Sequence, residues 1–233
     1  MSLPATEPPG EHGLISRLLP GPIRSVEVFA DIPDAPVFPE EEALIASAVE
    51  RRRAEFATTR ACAHLALDRL GIARAPILRG EAGEALWPEG IVGSLTHCEG
   101  YRAAAVARRE FVAALGIDAE PSVRLPPGVL SLVALPREQA MVDELTKASD
   151  LPSEICWDHL LFSAKESVFK AWSTLTGMWL GFRDVRLTLD PDGPFTTCFH
   201  IAVPKSARAL SGIEGRWLVS RGLILTTAIV PPL

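Results

Sequence analysis

Four alternating segments near the end of the chain, "RDVRLTLD", "FTTCFHIAV", "GRWLVS" and "LILTTAIV", constrain the fold more than any other feature. Their β-branched residues recur at period two, and turn residues separate them, which is the pattern of strands joined by short returns. Strands linked that closely pair antiparallel, because a parallel return needs a long crossover. Two helical stretches precede them instead of alternating with them, so the chain reads as α+β and not as a repeated βαβ unit. The first, "PEEEALIASAVERRRAEFATTRACAHLALDRLG", opens with Pro39 and acids and stops at Gly71; it is one long helix or two joined near the triple arginine. The second begins near Trp157 and contains "LLFSAKESVFKAW", where apolar residues return every three or four positions without Gly or Pro.

Between these landmarks, "SVEVFA" and "FVAALGIDAE" read as strands, the second stopped by Pro121. "APILRG" and "ALWPEG" read as short extended pieces, "GSLTHC" as a loop, and "LPPGVLSLVALPREQAMVDEL" as a loop followed by a helix. Residues 1–13, rich in Pro and Gly, read as a mobile tail.

With 233 residues, 48% of them apolar and 22% charged, the chain can bury a sizeable core as one large domain or two small ones. It has no apolar run long enough to span a membrane, and its start lacks the basic and apolar regions of a signal peptide, so cytoplasm is the expected location. Cys62, Cys98, Cys156 and Cys198 have no paired spacing and read as free thiols. A net charge of -6 argues against general nucleic-acid binding. The charge is nevertheless uneven: Arg51, Arg52, Arg53, Arg60, Arg69, Arg74 and Arg79 face only Glu55 and Asp68 over residues 51–79.

Three sets of residues carry chemistry. In "LGIDAEP" a strand would point Asp118 and Glu120 to one face, with Ala119 opposite. In "LLFSAKESVFKAW" a helix would carry Lys165, Glu166 and Lys170 among residues asking for burial. Glu166 and Lys170 also stand at the spacing of an ordinary exposed ion pair. Three carboxylates form a hard oxygen donor set suited to Mg²⁺, which completes its shell with water and substrate phosphates; Mn²⁺ favours the same donors. "GSLTHC" adds the hydroxyls of Ser94 and Thr96 and the imidazole of His97, which beside the arginines begins to look like a polyphosphate site.

Taken in order, "VGSLTHCEGYRAAAVA", "LGIDAEP" and "LLFSAKESVFKAW", with "RRRAEFATTRACAHLAL", "APILRG", "WPEGIVGS" and "WLGF", resemble the signature segments of the 4′-phosphopantetheinyl transferases of the surfactin and enterobactin type, and their actinobacterial branch most closely. The resemblance covers roughly residues 40–185. It implies a monomer of two similar α/β halves about a pseudo-twofold axis, divided here as 14–113 and 114–233, with coenzyme A in the cleft between them. It implies transfer of the 4′-phosphopantetheine arm to a serine of apo acyl and peptidyl carrier proteins of polyketide, nonribosomal-peptide and fatty-acid pathways, with release of adenosine 3′,5′-bisphosphate.

By the same resemblance Asp118, Glu120 and Glu166 hold Mg²⁺, His97 and Thr96 lie at a phosphate, and Arg52 and Arg60 grip the 3′-phosphate. Arg79 lies near the adenosine, and Lys170 stabilises the leaving phosphate. Glu166 doubles as base, and Lys165 adds local positive charge. Helix geometry alone aligns Arg53 with Arg60 more closely than Arg52, so either arginine fits the 3′-phosphate position. A metal-dependent phosphodiesterase or phosphatase and a non-catalytic coenzyme A binding module use similar residues and stand as alternatives.

Overall fold

The computed structural model describes residues 13–80 and 83–232, so all of the expected tail except Gly13 lies outside the described residues. Among these residues the order is β1 (Arg24–Val28), α1 (Pro39–Ala43), α2 (Glu50–Arg69), β2 (Leu78–Arg79), β3 (Ala85–Leu86), β4 (Ile91–Cys98) and β5 (Tyr101–Arg108). There follow β6 (Ala114–Pro121), α3 (Val129–Val133), α4 (Pro136–Lys147), α5 (Trp157–Thr176), β7 (Val185–Leu189), β8 (Pro194–Phe199), β9 (Glu214–Ser220) and β10 (Leu223–Val230).

The strands form two main antiparallel sheets, ordered β1-β5-β4 and β6-β10-β9-β8-β7. In each, the first strand pairs with the last, and the last forms a hairpin with the strand before it. This shared topology makes the α+β chain two similar halves. The β9–β10 hairpin turns on Arg221 and Gly222, both at positive φ (54° and 72°), as a two-residue turn matched to strand twist requires.

One long helix covers each sheet. Cys62, Ala66 and Leu67 of α2 pack with Val26, Ala104 and Val106, while Leu160, Ala164, Val168 and Trp172 of α5 pack with Ile224 and Ala228. Each large side chain buried this way contributes about 1.5–3 kcal/mol. Gly116 lets α5 approach β6: a Cβ there would lie 1.8 Å from the Ser167 carbonyl oxygen. Behind the sheets, Leu14, Ile15 and Leu18 pack on Tyr101, Leu115, Ile117 and Leu225, spanning both halves.

Three local readings need correction. "GSLTHC" is strand β4 and not a loop. Its small and hydroxyl residues disguise the strand pattern because they serve close contacts: a Cβ on Gly93 would lie 2.6 Å from the Trp87 ring and 2.9 Å from the Ala105 carbonyl oxygen. The first helical stretch takes the two-helix alternative, parted over residues 44–49 just ahead of the triple arginine, where Val49 is extended (φ −64°, ψ 154°). The segment before α4 contains the helix α3, closed by extended Ala134. In addition, only the first half of "FTTCFHIAV" is strand.

A short device recurs in the two halves. Pro39 and Pro136 each begin a helix, and the acid two residues on, Glu41 or Glu138, is wholly buried. Glu41 accepts from the amides of Phe38 (3.0 Å) and Ile77 (2.8 Å) and contacts His64 of α2 (3.0 Å). Glu138 accepts from the amides of Leu135 (2.7 Å) and Leu187 (2.7 Å) and from Lys165 of α5 (2.8 Å). Each buried acid thus ties its short helix to the long helix and to an extended segment, satisfying a charge that would be costly alone.

We predict that Gly116→Ala lowers unfolding stability by about 3 kcal/mol or more, because the obstructing atom is backbone and cannot rotate away. Urea unfolding followed by circular dichroism checks this, and an unchanged midpoint would mean that α5 can move off β6.

Candidate active site

The halves meet where β4 runs beside β6 in the same direction without a backbone ladder. Side-chain hydroxyls take its place: Ser94 accepts from the Ile117 amide and Thr96 from the Ala119 amide, both at 3.0 Å. A cleft of about 600 Å³ opens over this seam. Arg52, Arg60 and Arg79 line it from the first half, Asp118, Glu120 and Lys170 from the second, with Thr96 and His97 on β4.

Helix α2 presents Arg52, Phe56 and Arg60 at four-residue spacing along one face. Arg53 instead turns toward α1, 3.4 Å from Glu42 and 3.3 Å from the Ala46 carbonyl, so Arg52 and not Arg53 shares the cleft with Arg60. Arg60 is only 6% exposed. Its guanidinium lies 4.4 Å from the Phe56 ring centroid, and its Nε, 3.8 Å from Glu41, has no hydrogen bond. Burial lowers its pKa to about 10, with Glu41 opposing, which still leaves a cation at neutral pH. A largely buried cation whose Nε has no hydrogen bond, at the wall of an open cleft, suits an anion.

His97 touches Arg52 through Nε2. Burial, reinforced by the charge of Arg52, lowers its pKa, so the imidazole is neutral at neutral pH. Glu55 stands among these groups, 3.4 Å from Arg52, 3.8 Å from His97 and 3.6 Å from Arg102. Arg102 is itself held by Asp31 at 2.9 and 3.1 Å. The sequence reading missed Glu55 and Arg102 as organisers of the basic wall; the signal was a solitary acid inside an arginine run.

Asp118, 5% exposed, is the hub of the opposite wall. Its Oδ1 accepts from Lys170 (2.8 Å) and Thr96 (3.4 Å), and its Oδ2 from Ser163 (2.8 Å). Glu120 points to the same face and lies 3.6 Å from His159; Ala119 packs into the core behind. Ser163 and His159 are further site residues that local periodicity does not reveal. Thr96 lines the cleft as expected, but its hydroxyl already serves Ala119 and Asp118.

Glu166 lies half-buried across Phe169 from the main cleft, in a side cavity of about 70 Å³. Burial raises its pKa, the negative charges of Asp118 and Glu120 add to that, and Lys170 opposes them. The three carboxylates therefore feel one another. Among the described residues, however, no three His, Cys, Asp or Glu side chains converge as a ready-made metal cage. Lys165 also departs from expectation: it is 2% exposed, donates to Glu138 and to the carbonyls of Phe182 (2.5 Å) and Val185 (3.0 Å), and supplies no charge to the main cleft. The physical reason is Glu138, a wholly buried acid that requires a cation.

Comparison with known proteins agrees with this arrangement. Residues 40–107 match the 4'-phosphopantetheinyl transferase N-terminal domain, and residues 114–221 match the 4'-phosphopantetheinyl transferase superfamily. The chain belongs to the 4'-phosphopantetheinyl transferase superfamily. Its members move the phosphopantetheine arm of coenzyme A to carrier proteins, so the enzyme is a transferase.

The transferase is 50% identical over 222 residues to 4'-phosphopantetheinyl transferase Svp of Streptomyces mobaraensis, covering 93% of this chain and 89% of Svp. It is 44% identical over 227 residues to 4'-phosphopantetheinyl transferase PptT of Mycobacterium tuberculosis, covering 93% and 98%. Enterobactin synthase component D of Escherichia coli is 32% identical over 139 residues, covering 59% and 62%. No helix among the described residues is long and apolar enough to cross a membrane.

Thr96→Val should cost about 1–3 kcal/mol of stability by leaving the Ala119 amide unpaired inside the seam, and should lower transfer by loosening Asp118. Thr96→Ser should restore both. Parallel melting curves and transfer rates check this; equal behaviour of the two variants would contradict the hydroxyl's role.

Proposed function

We propose that coenzyme A lies along the cleft with its 3′-phosphate at Arg52 and Arg60, its adenosine end toward Arg79, and its pyrophosphate at His97 and Lys170. Arg60 carries this reading: it is a cleft-lining cation, 6% exposed, whose Nε has no hydrogen bond and whose acid neighbour Glu41 stays 3.8 Å away, so a phosphate in the cleft would supply a closer partner. The basic wall belongs to residues 14–113 and the carboxylate wall to 114–233, which we take as the two halves of a monomer. Apo acyl and peptidyl carrier proteins of polyketide, nonribosomal-peptide or fatty-acid synthesis, with no nucleic acid or membrane involved, are the acceptors, met in the cytoplasm.

Asp118, Glu120 and Glu166 fit a hard divalent cation: all are oxygen donors, and beyond the effect of burial the charges of Asp118 and Glu120 raise the pKa of Glu166 further, against the opposing Lys170. They would hold Mg²⁺, or Mn²⁺, which when bound neutralises charge on the pyrophosphate. The carrier serine oxygen attacks the phosphorus that bears the pantetheine arm, the bond to the bridging oxygen breaks, and adenosine 3′,5′-bisphosphate departs. Glu166 takes the serine proton, directly or through water. Lys170 steadies charge on the leaving phosphate, with the neutral His97 beside it.

Two outcomes follow for transfer assays. Arg60→Ala should raise KM for coenzyme A by about 10-fold or more while leaving 3′-dephospho-coenzyme A little changed; equal losses would put the 3′-phosphate elsewhere. Glu166→Gln should abolish transfer yet raise the Tm of the metal-free protein at neutral pH, because it removes a buried carboxylate that is raised in pKa and therefore destabilising when ionised. Each kcal/mol relieved is worth about 2–4 °C in a domain of this size.

A further inference from the structure

The Lys170 ammonium already sits where a cation would go. Its Nζ lies 2.8 Å from Asp118 Oδ1, 2.9 Å from the Ile117 carbonyl oxygen and 3.3 Å from that of Leu95. Three oxygens from two strands thus converge on one positive charge. A divalent ion brought to Asp118 would share that carboxylate with the ammonium, and two cations held a few ångströms apart repel strongly where water is scarce. Asp118 has little freedom to serve both, because its second oxygen is engaged by Ser163 at 2.8 Å. Lys170 is the mobile partner: its side chain is 27% exposed toward the cleft, on a flexible four-carbon stem.

We propose that Lys170 is the resident counter-ion of Asp118 in the free enzyme and opposes metal entry until a coenzyme A phosphate draws the ammonium away. Metal and coenzyme A then load cooperatively, each strengthening the other by the same factor. This rests on the reading of Asp118 as a metal ligand. Among the described residues it is the lysine, rather than a second or third acid, that closes round Asp118. Neutralised in this way, Asp118 can stay buried in the free protein without a bound ion.

The test is direct titration of Mn²⁺ into the full chain without coenzyme A, following free Mn²⁺ by electron paramagnetic resonance. Lys170→Met should bind Mn²⁺ more tightly than the unmodified enzyme, by about 5- to 150-fold, the usual range of coupling between linked sites. The strengthening of Mn²⁺ binding by added coenzyme A should shrink in the same variant. Equal or weaker Mn²⁺ binding by a folded Lys170→Met protein would overturn the proposal. Should that variant not fold, Lys170→Gln, which keeps a donor for the strand carbonyls but no charge, is held to the same outcomes. Asp118→Asn separates the two ideas. If it weakens Mn²⁺ binding while neither Lys170 variant strengthens it, only the counter-ion role fails; if Asp118→Asn leaves Mn²⁺ binding unchanged in every background, the metal assignment fails and the proposal with it.

Discussion

Two sheets that share no backbone ladder are held edge to edge by the hydroxyls of Ser94 and Thr96 and the ammonium of Lys170, and the cleft exists because of that join. A continuous ladder would have merged β4 and β6 into one sheet. Hydroxyl links instead satisfy the β6 amides while Lys170 binds carbonyls from both strands, so buried polar groups stay paired at the boundary. The same atoms also reach the proposed site, because the hydroxyl of Thr96 and the ammonium of Lys170 both end on Asp118. Mechanical joint and proposed reaction centre share one set of side chains.

Charge is distributed by half. The first half offers Arg52, Arg60, Arg79 and His97, trimmed by Glu55 so that cations lie close without a bound anion. The second offers three carboxylates, restrained by Lys170 and by His159. In the proposed reaction the phosphates belong to coenzyme A and the attacking alcohol to the carrier protein, and such opposed walls suit the pair: cations for the phosphates, and carboxylates that would serve as base and metal donors for the alcohol. Arg60, desolvated and only partly balanced by Glu41, and Glu166, whose charge burial disfavours, are costly groups that the proposed reaction would use.

Much of this was legible from residue order alone. The closing strands declared themselves by period two, and Asp118, Glu120, Glu166 and Lys170 stood out as charges inside apolar segments. Legibility failed wherever meaning depended on a distant partner. Lys165 looks equivalent to Lys170 until Glu138 is found 2.8 Å away. Which of Arg52 and Arg53 lines the cleft with Arg60 depends on Glu42, a residue on another helix that draws Arg53 aside. "GSLTHC" reads as a loop because glycine and hydroxyls are turn residues locally, whereas here they are demanded by Trp87 and by β6. The paired devices at Glu41 and Glu138 are too short to register as a repeat.

The most direct test of the account is the intact mass of an apo carrier protein incubated with this transferase, coenzyme A and Mg²⁺, beside a carrier whose acceptor serine is changed to alanine. The account predicts a gain of one phosphopantetheine arm that depends on the serine and disappears on metal chelation. A folded protein that binds coenzyme A yet leaves acyl and peptidyl carriers unmodified, or that cleaves coenzyme A without transfer, would contradict it.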